Sequence, residues 1–387
     1  MLRGGAAGFR RSGRKGDDAV SRVKDFVKQE LTLCVAFLAA LVSCCFVPPD
    51  GAYWSYLDFR TLALLYCLMV VVAGLRHAGV FTVLAHRLCA RAGSVRLLGL
   101  MLVLLCFFSA MLITNDVALL TFVPFAVVVL GMAHQEKELI WVVVLQTVAA
   151  NLGSVLTPVG NPQNLYLYSR YGLSMGDFLA ATGPLWLLSL VAVLLLSLRL
   201  PRAGVEVFLG EVPGLDKKAL ALYLALFLLC LLAVLRLLPW QWMLILLVLT
   251  LLVLDRRRLR QADFLLLLTF VCFFVFSGNL SRMAPVELLL RRLLAGRELL
   301  TAALTSQVIS NVPAALLLSG FTEAGQELLL GVNIGGLGTP VASLASLISL
   351  KLYAHSEHAS TGKFLALFSL VNFGLLALLL GLYQFIL

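Results

Sequence analysis

The sequence predicts an all-α integral membrane protein built as an inverted repeat, with about nine spans, two re-entrant hairpins and two broken helices. Three observations predict it. Of the 387 residues, 61% are hydrophobic and only 13% charged, whereas a soluble domain is nearer half apolar and a quarter charged. Ile113-Thr114-Asn115-Asp116-Val117 and Ile309-Ser310-Asn311-Val312-Pro313 each put a hydroxyl–asparagine pair in the middle of apolar sequence. Finally, Asn151-Leu-Gly-Ser-Val-Leu-Thr-Pro-Val-Gly160 is echoed by Asn333-Ile-Gly-Gly-Leu-Gly-Thr-Pro-Val-Ala342, with Asn, Gly, Thr, Pro and Val at the same spacing.

Taken in order, apolar segments at 31–47, 56–76, 138–170, 178–200, 217–237, 240–255, 263–281, 325–353 and 363–386 suit the roughly 20 residues a helix needs to cross a bilayer. The stretches 97–131 and 299–320 are each interrupted by one of the hydroxyl–asparagine motifs. Each reads as two short helices that enter the membrane and turn back, with the motif at the tip. Short amphipathic basic segments, 78–92 and 284–296, precede them. The organisation expected is a basic N-terminal segment (1–30), a first repeat (31–200), a connecting loop and linking span (201–239) and a second repeat (240–387), forming one membrane unit. Leu41-Val42-Ser43-Cys44 resembles a lipoprotein cleavage box, but the basic region before it is long, so 31–47 reads as a retained first span.

The net charge of +10 is uneven. Arg3, Arg10, Arg11, Arg14, Lys15, Arg22, Lys24 and Lys28 crowd the start, and Arg256-Arg257-Arg258 with Arg260 form a second cluster. Lys and Arg collect on the cytoplasmic side, which puts the N-terminus inside and the C-terminus outside an inner (plasma) membrane. Arg291, Arg292 and Arg297 then fall outside. No aromatic platform accompanies these charges, so nucleic acid is not an expected partner. None of the eight cysteines forms a C-x-x-C pair, so neither a disulfide framework nor a zinc site is expected. His355 and His358 around Glu357 read as a solvated loop, and there is no phosphate-cradling G-x-x-x-x-G-K-[ST].

Leu57-Asp58-Phe59 and Ala262-Asp263-Phe264 open matching spans. Five crossings separate the matching spans. The number is odd, so the halves run in opposite directions. Inverted repeats with interrupted helices at corresponding places are the sequence signature of a secondary transporter.

Backbone groups in hydrocarbon must be satisfied within the protein, and unwound chain is tolerated only where it is buried or lines a watery cavity. Four such breaks point to a shared polar site at mid-bilayer. Ser310 or Asn311 can cap the second arm of its hairpin, with Pro313 near its first turn, and Thr114, Asn115 or Asp116 can do so in the first. Asn161-Pro162 can start the outer half of the first broken helix and Thr339-Pro340 the inner half of the second. Helix starts favour anions, while helix ends and free carbonyls favour cations. The candidate substrate- and ion-binding residues are therefore Thr114, Asn115 and Asp116; Asn151, Gly153, Ser154, Thr157, Pro158, Gly160, Asn161, Gln163 and Asn164; Ser310, Asn311, Val312 and Pro313; and Asn333, Gly335, Gly338, Thr339, Pro340 and Ser343. Asp116 is the one carboxylate expected deep in apolar sequence, where ionisable groups are functional candidates. It could ligand sodium, carry a proton or cap a helix. Candidate sodium ligands are Asn115, Asp116 and Asn311, and no other cofactor is expected. No nucleophile–base constellation accompanies Asp116, so an embedded enzyme is disfavoured.

At TNDVALL (114–120), NLGSVLTPVGNPQN (151–164), SQVISNVPA (306–314) and VNIGGLGTP (332–340) the chain resembles the ion transporter superfamily. That group includes citrate-transporter-like divalent-anion/sodium symporters, arsenite permeases and D-type sodium/proton antiporters. Within it the chain is most similar to an uncharacterised branch of inner-membrane anion permeases. In the dicarboxylate symporters each hairpin tip carries Ser-Asn-Thr, which holds sodium and the substrate carboxylates. The matching positions here are Thr114-Asn115-Asp116 and Ser310-Asn311-Val312. Both asparagines carry over, while the third position differs each time. The resemblance implies a small anionic substrate coupled to sodium or protons, an elevator-like motion and often a homodimer. It leaves inorganic oxyanions, arsenite-like neutral species and cation antiport open beside carboxylates.

Overall fold

Asp58 and Asp263 start their two spans in the same way. Each carboxylate accepts the backbone N–H three residues on, from Thr61 and from Leu266, both at 2.9 Å, which satisfies one of the orphan donors of a helix start. The computed structural model describes residues 30–205, 214–356 and 359–386. The basic segment 1–29, Glu357 and His358 lie outside the described residues.

The first half runs α1 (Leu31–Phe46), a single turn α2 (Tyr53–Tyr56), α3 (Phe59–His77), α4 (Val80–Cys89), α5 (Val95–Ile113), α6 (Asn115–Met132), α7 (Glu136–Gly153), α8 (Pro162–Arg170) and α9 (Met175–Ser197). The linking span is α10 (Lys217–Val234). The second half runs α11 (Trp240–Leu254), α12 (Phe264–Ser281), α13 (Ala284–Leu294), α14 (Glu298–Ile309), α15 (Asn311–Leu318), α16 (Gly325–Ile334), α17 (Leu344–Ala354) and α18 (Thr361–Ile386). Both broken helices are present, α7–α8 and α16–α17. Each contains a single 3-10 turn in its gap, Ser154–Leu156 and Pro340–Ala342. The amphipathic segments appear as α4 and α13.

Among the described residues, eight helices are long and apolar enough to cross a membrane. These include both arms of the first hairpin, α5 with 19 residues and α6 with 18. The arms are therefore longer than the two short helices the sequence suggested, at about 28 Å for 1.5 Å per residue. Both arms pack along the first broken helix, α7. The arms of the second hairpin are short as expected, with 12 and 8 residues in α14 and α15.

The crossing of each hairpin over its broken helix is fixed by glycine. A Cβ on Gly153 would lie 2.1 Å from the carbonyl oxygen of Phe107 in α5, and one on Gly335 would lie 2.7 Å from the Cα of Ala303 in α14. Gly153 and Gly335 hold equivalent places in the repeat, as do Phe107 and Ala303. The side chains around these crossings belong to two apolar cores. One gathers α5, α6, α7, α9, α17 and α18. The other gathers α1, α3, α8, α10, α11, α12 and α15.

Because the obstacle at both glycines is backbone rather than a flexible side chain, Gly153→Ala and Gly335→Ala are expected to cost about 1–3 kcal/mol each through overpacking. A fall in the thermal midpoint of the detergent-purified protein checks this, with Gly183→Ala as the control, since a Cβ there meets nothing within 4 Å.

Candidate substrate and ion site

Both hairpin tips turn through the same unusual backbone. Thr114 has φ 71° and ψ 152°, and Ser310 has φ 74° and ψ 155°. This region is close to glycine-only, and a side chain held there costs about 1–3 kcal/mol. The strain persists in both halves because the surrounding contacts over-determine it. Each tip asparagine then folds back on its own helix start. Asn115 Oδ1 accepts the Asp116 N–H and Asn311 Oδ1 accepts the Val312 N–H, both at 2.9 Å. The caps are thus asparagine caps, and neither Thr114 nor Ser310 caps with its hydroxyl.

The tips are moored to the gaps of the broken helices by equivalent bonds. Thr157 donates its hydroxyl to the carbonyl of Met111, and Thr339 donates its own to the carbonyl of Gln307 at 3.0 Å. The Asn115 N–H donates to the Gly160 carbonyl at 3.2 Å, while the Ser310 hydroxyl reaches the equivalent Ala342 carbonyl at 3.3 Å. Thr157 and Thr339 are therefore ties, with hydroxyls already spent on the hairpins. The expected helix start at Thr339-Pro340 is only the 3-10 turn, and α17 begins one residue after Ser343. Thr339 cannot cap because its hydroxyl is drawn to Gln307. In the first half the start falls where expected: Asn161 Oδ1 accepts the Asn164 N–H at 3.0 Å, with Pro162 next.

The gaps themselves meet. Asn151 is the hub: its Oδ1 accepts from Asn115 Nδ2 at 3.1 Å and from the Ser343 hydroxyl at 2.9 Å, and its Nδ2 faces the Gly336 carbonyl and Ser346 Oγ at 3.4 Å each. Asn333 Nδ2 donates to Asn164 Oδ1 at 2.7 Å, and Asn161 Nδ2 reaches Ser154 Oγ at 3.0 Å and Asn333 Oδ1 at 3.3 Å. Asn311 Nδ2 lies 3.0 Å from where a Cβ on Gly336 would stand. Both tips thus converge on Gly336, one through Asn151 and one directly. The asparagines of this cluster are all buried, where a satisfied polar network specifies one arrangement.

Gln163 is buried in the first turn of α8, and Val312 and Pro313 lie in the first turn of α15. Pro158, Gly160, Pro340 and Gly338 shape the gaps. At Gly338 φ is 101° and a Cβ would stand 2.1 Å from Gln307 Oε1. Sequence reasoning missed Gln307. Its Nε2 donates to the carbonyls of Gly335 and Leu337 at 2.8 and 2.9 Å, and its Oε1 accepts the Thr339 N–H at 2.9 Å. The available signal was a glutamine three residues before the Ser310 tip, facing a gap full of free carbonyls. Asn164 does the equivalent work in the first gap, donating to the carbonyls of Ser154, Val155 and Thr157.

A cavity of about 780 Å³ ends on this cluster. Thr114, Asp116 and Asn161 line its deep end; Arg76, Arg258 and Gln261 line its mouth. One carboxylate oxygen of Asp116 is buried without a hydrogen-bond partner. At the mouth, Arg258 bonds Asp255 at 3.1 Å and Gln261 at 2.8 Å, leaving its side chain only 13% exposed. Arg258 of the 256–260 cluster is thus turned into the cavity rather than left in open solvent.

Comparison with known proteins agrees with this architecture. The CitMHS family model, described as citrate transporter, matches residues 27–326. The chain belongs to that family. The match ends as α16 begins, and the register of Asn151 against Asn333 carries the equivalence through the second broken helix. The inner membrane protein YbiR of Escherichia coli is 31% identical to this family member, over 79% of this chain and 83% of its own length. The uncharacterized transporter MJ0456 of Methanocaldococcus jannaschii is 30% identical, over 80% of this chain and 84% of its own. The silicon efflux transporter LSI3 of Oryza sativa is 32% identical over a shorter part, 38% of this chain and 30% of its own. The protein is a multi-pass membrane transporter.

Asn151→Ala would strip the hub of its four contacts and leave Asn115 Nδ2 buried without an acceptor. A buried polar group so orphaned costs about 1–3 kcal/mol, so the variant should melt earlier than Asn151→Asp, which keeps the accepting oxygen for Asn115 and Ser343. Thermal unfolding of the two purified variants checks the order.

Proposed function

We propose that this transporter moves a small anion, a carboxylate or an inorganic oxyanion, coupled to sodium or protons. The observation that carries the reading is the end of the large cavity. There the start of α6, which favours negative charge, stands beside a carboxylate oxygen with no partner. An unpaired buried carboxylate is costly unless a cation or proton joins it. A site with both features suits an anion and a coupling cation bound together, and Asp116 supplies the dependence of one on the other. Arg76 and Arg258 at the mouth would draw anions in. Asn115 and Asn311, at the two tips just behind the cavity lining, would orient substrate and sodium once the Asn115 amide exchanges its bond to Asn151 for the ligand. Asn151, Ser154 and Asn333 hold the surrounding carbonyls, Gly153 and Gly335 let the hairpins approach, and Ser343 supports the hub.

An elevator-type motion would carry the hairpins and broken helices past α1, α3 and α10–α12, and it would have to repack the core that α8 and α15 share with those helices. The basic clusters favour an N-terminus inside and a C-terminus outside. The exposed apolar face of α11 at Leu249, Leu252 and Val253 suits lipid or a second copy of the chain.

A second reading is export of a neutral oxyacid, favoured by the similarity to the rice protein named a silicon efflux transporter. It would show as release of silicic acid or arsenite from loaded proteoliposomes without charge movement.

The test is uptake of labelled citrate, sulfate and phosphate into proteoliposomes under an imposed sodium or pH gradient. Asn115→Ala and Asn311→Ala should each slow uptake about ten- to hundredfold, as expected for losing a hydrogen bond of about 1.5–3 kcal/mol to a charged ligand. Asp116→Asn should keep exchange but lose accumulation against a gradient. Wild-type rates in both asparagine variants would overturn the site, and undiminished accumulation by the Asp116→Asn variant would overturn the role of the carboxylate.

A further inference from the structure

A second cavity, of about 440 Å³, sits at the other end of the same helices. The first cavity takes the end of α3 and the start of α12, whereas the second takes the start of α3 and the end of α12. On α8 the boundary is one residue wide, because Leu165 lines the first cavity and Tyr166 the second.

The second cavity is the repeat image of the first. Asp263 lines one and its equivalent Asp58 lines the other. In the register these two set, Phe274, Ser277, Gly278 and Ser281 of the second cavity correspond to Met69, Val72, Ala73 and Arg76 of the first. Leu316 beyond the Asn311 tip corresponds to Leu120 beyond the Asn115 tip, and Tyr166 corresponds to Ile348. The images differ in depth. The first cavity reaches the Asn115 tip at Thr114 and Asp116, while the second stops at Leu316, short of Ser310 and Asn311. Tyr166 helps close it, with its ring 5.6 Å from Phe274 and 6.5 Å from Phe270 and its hydroxyl 2.8 Å from Ser319 Oγ.

Two charges do not obey the repeat. Arg60 and Arg170 line the second cavity, yet their equivalents are Leu265 and Leu352. Topology does not account for them either, since the charge bias of the loops puts this end outside, where Lys and Arg are not favoured. Arg60 is half-buried and makes one long bond, from Nη2 to the Ala233 carbonyl at 3.4 Å. Among the described residues neither arginine forms an ion pair. Asp58 lines the same cavity and its charge offsets part of theirs, but both its oxygens accept from Thr61 and it forms no ion pair with either arginine, so the cavity keeps a net positive charge. Arg282 nearby is committed elsewhere, to Asp50 at 2.8 Å, and this contact holds the Asp50 carboxyl below its ordinary range. Each cavity therefore has two lining arginines, supplied from unrelated positions, although Arg258 of the first is already paired with Asp255.

We infer that the second cavity is a docking site for a small anion on the far face, with Arg60 and Arg170 as its recognition pair. It rests on the proposed anion transport and makes the pathway two-ended: the anion waits at Arg60 and Arg170 on one side and at Arg76 and Arg258 on the other. Phosphate, sulfate and carboxylate groups all fit the fork of a guanidinium. Ser169 on the lining offers a hydroxyl for a remaining oxygen, while the Ser55 and Ser277 hydroxyls donate to the carbonyls of Ala52 and Leu317.

The test does not need transport. Ser169→Cys is introduced into protein whose Cys34, Cys44 and Cys45 are serine, and its reaction rates with the anionic thiosulfonate MTSES and the cationic MTSET are compared in detergent. Relative to a free thiol, the anionic reagent should be favoured about twofold or more, from the net positive charge that Arg60, Arg170 and Asp58 together leave within a Debye length of the thiol. Arg60→Gln with Arg170→Gln should abolish the preference, and the paired lysine variants should keep it, which separates charge from folding. Phosphate, sulfate or citrate, at matched ionic strength against chloride, should slow the MTSES reaction in the arginine protein and not in the glutamine variant. An unchanged reagent preference in the glutamine variant, or no slowing by any of the three anions, overturns the inference. Such a failure is distinct from failure of the central site, which is read separately by uptake in the Asn115 and Asn311 variants.

Discussion

Peptide groups removed from water inside an apolar medium must be bonded within the protein, and the rest of this molecule depends on how four interrupted segments meet that demand. They do it by meeting one another. The Thr157 and Thr339 hydroxyls bind carbonyls at the ends of the hairpins' first arms. The carbonyls of Gly160 and Ala342 receive donors from the tips. Asn164 and Gln307 close what is left of the two gaps. Each break is made tolerable by another, so none can be removed alone. The strained backbone of Thr114 and Ser310 is held in place by this mutual support.

The same economy leaves few groups unspent. Nearly every polar side chain near Gly336 is buried and bonded, and the clear exception is one oxygen of Asp116. Fully satisfied networks rigidify a site. A single unsatisfied carboxylate at the end of an open cavity is where a ligand can still change the energy of the protein.

Repetition and its failures mean different things here. The crossings at Gly153 and Gly335, the two threonine ties and the two asparagine caps are repeated because both halves face the same packing problem in opposite orientations. Asp116 against Val312, Arg60 and Arg170 against leucines, and Arg76 against Ser281, are not repeated. Packing does not require those charges, so they are the residues through which the two faces of the protein differ chemically. The first cavity lies between the two cores, with α3, α8 and α12 on one side and α6 and α17 on the other, whereas the second is lined by helices of one core alone.

By itself the sequence determined the all-helical membrane class, the span order, the inverted repeat and the four breaks. Each of these depends on a local run of apolar residues or on a spacing that survives in one dimension. It also marked Asn115, Asn151, Asn311 and Asn333 as special, because amides are rare at such depth. Only the tertiary structure decided what each marked residue does. Thr157 and Thr339 looked like free oxygens until their partners, Met111 and Gln307, came from distant helices. Gln307 looked ordinary because the carbonyls it closes lie 28 to 30 residues away. Arg258 resembled a loop charge until Asp255 and Gln261 turned it inward. A hydroxyl or a guanidinium can bind many things, and its choice is set by which groups three-dimensional packing brings within about 3 Å, which no linear pattern records.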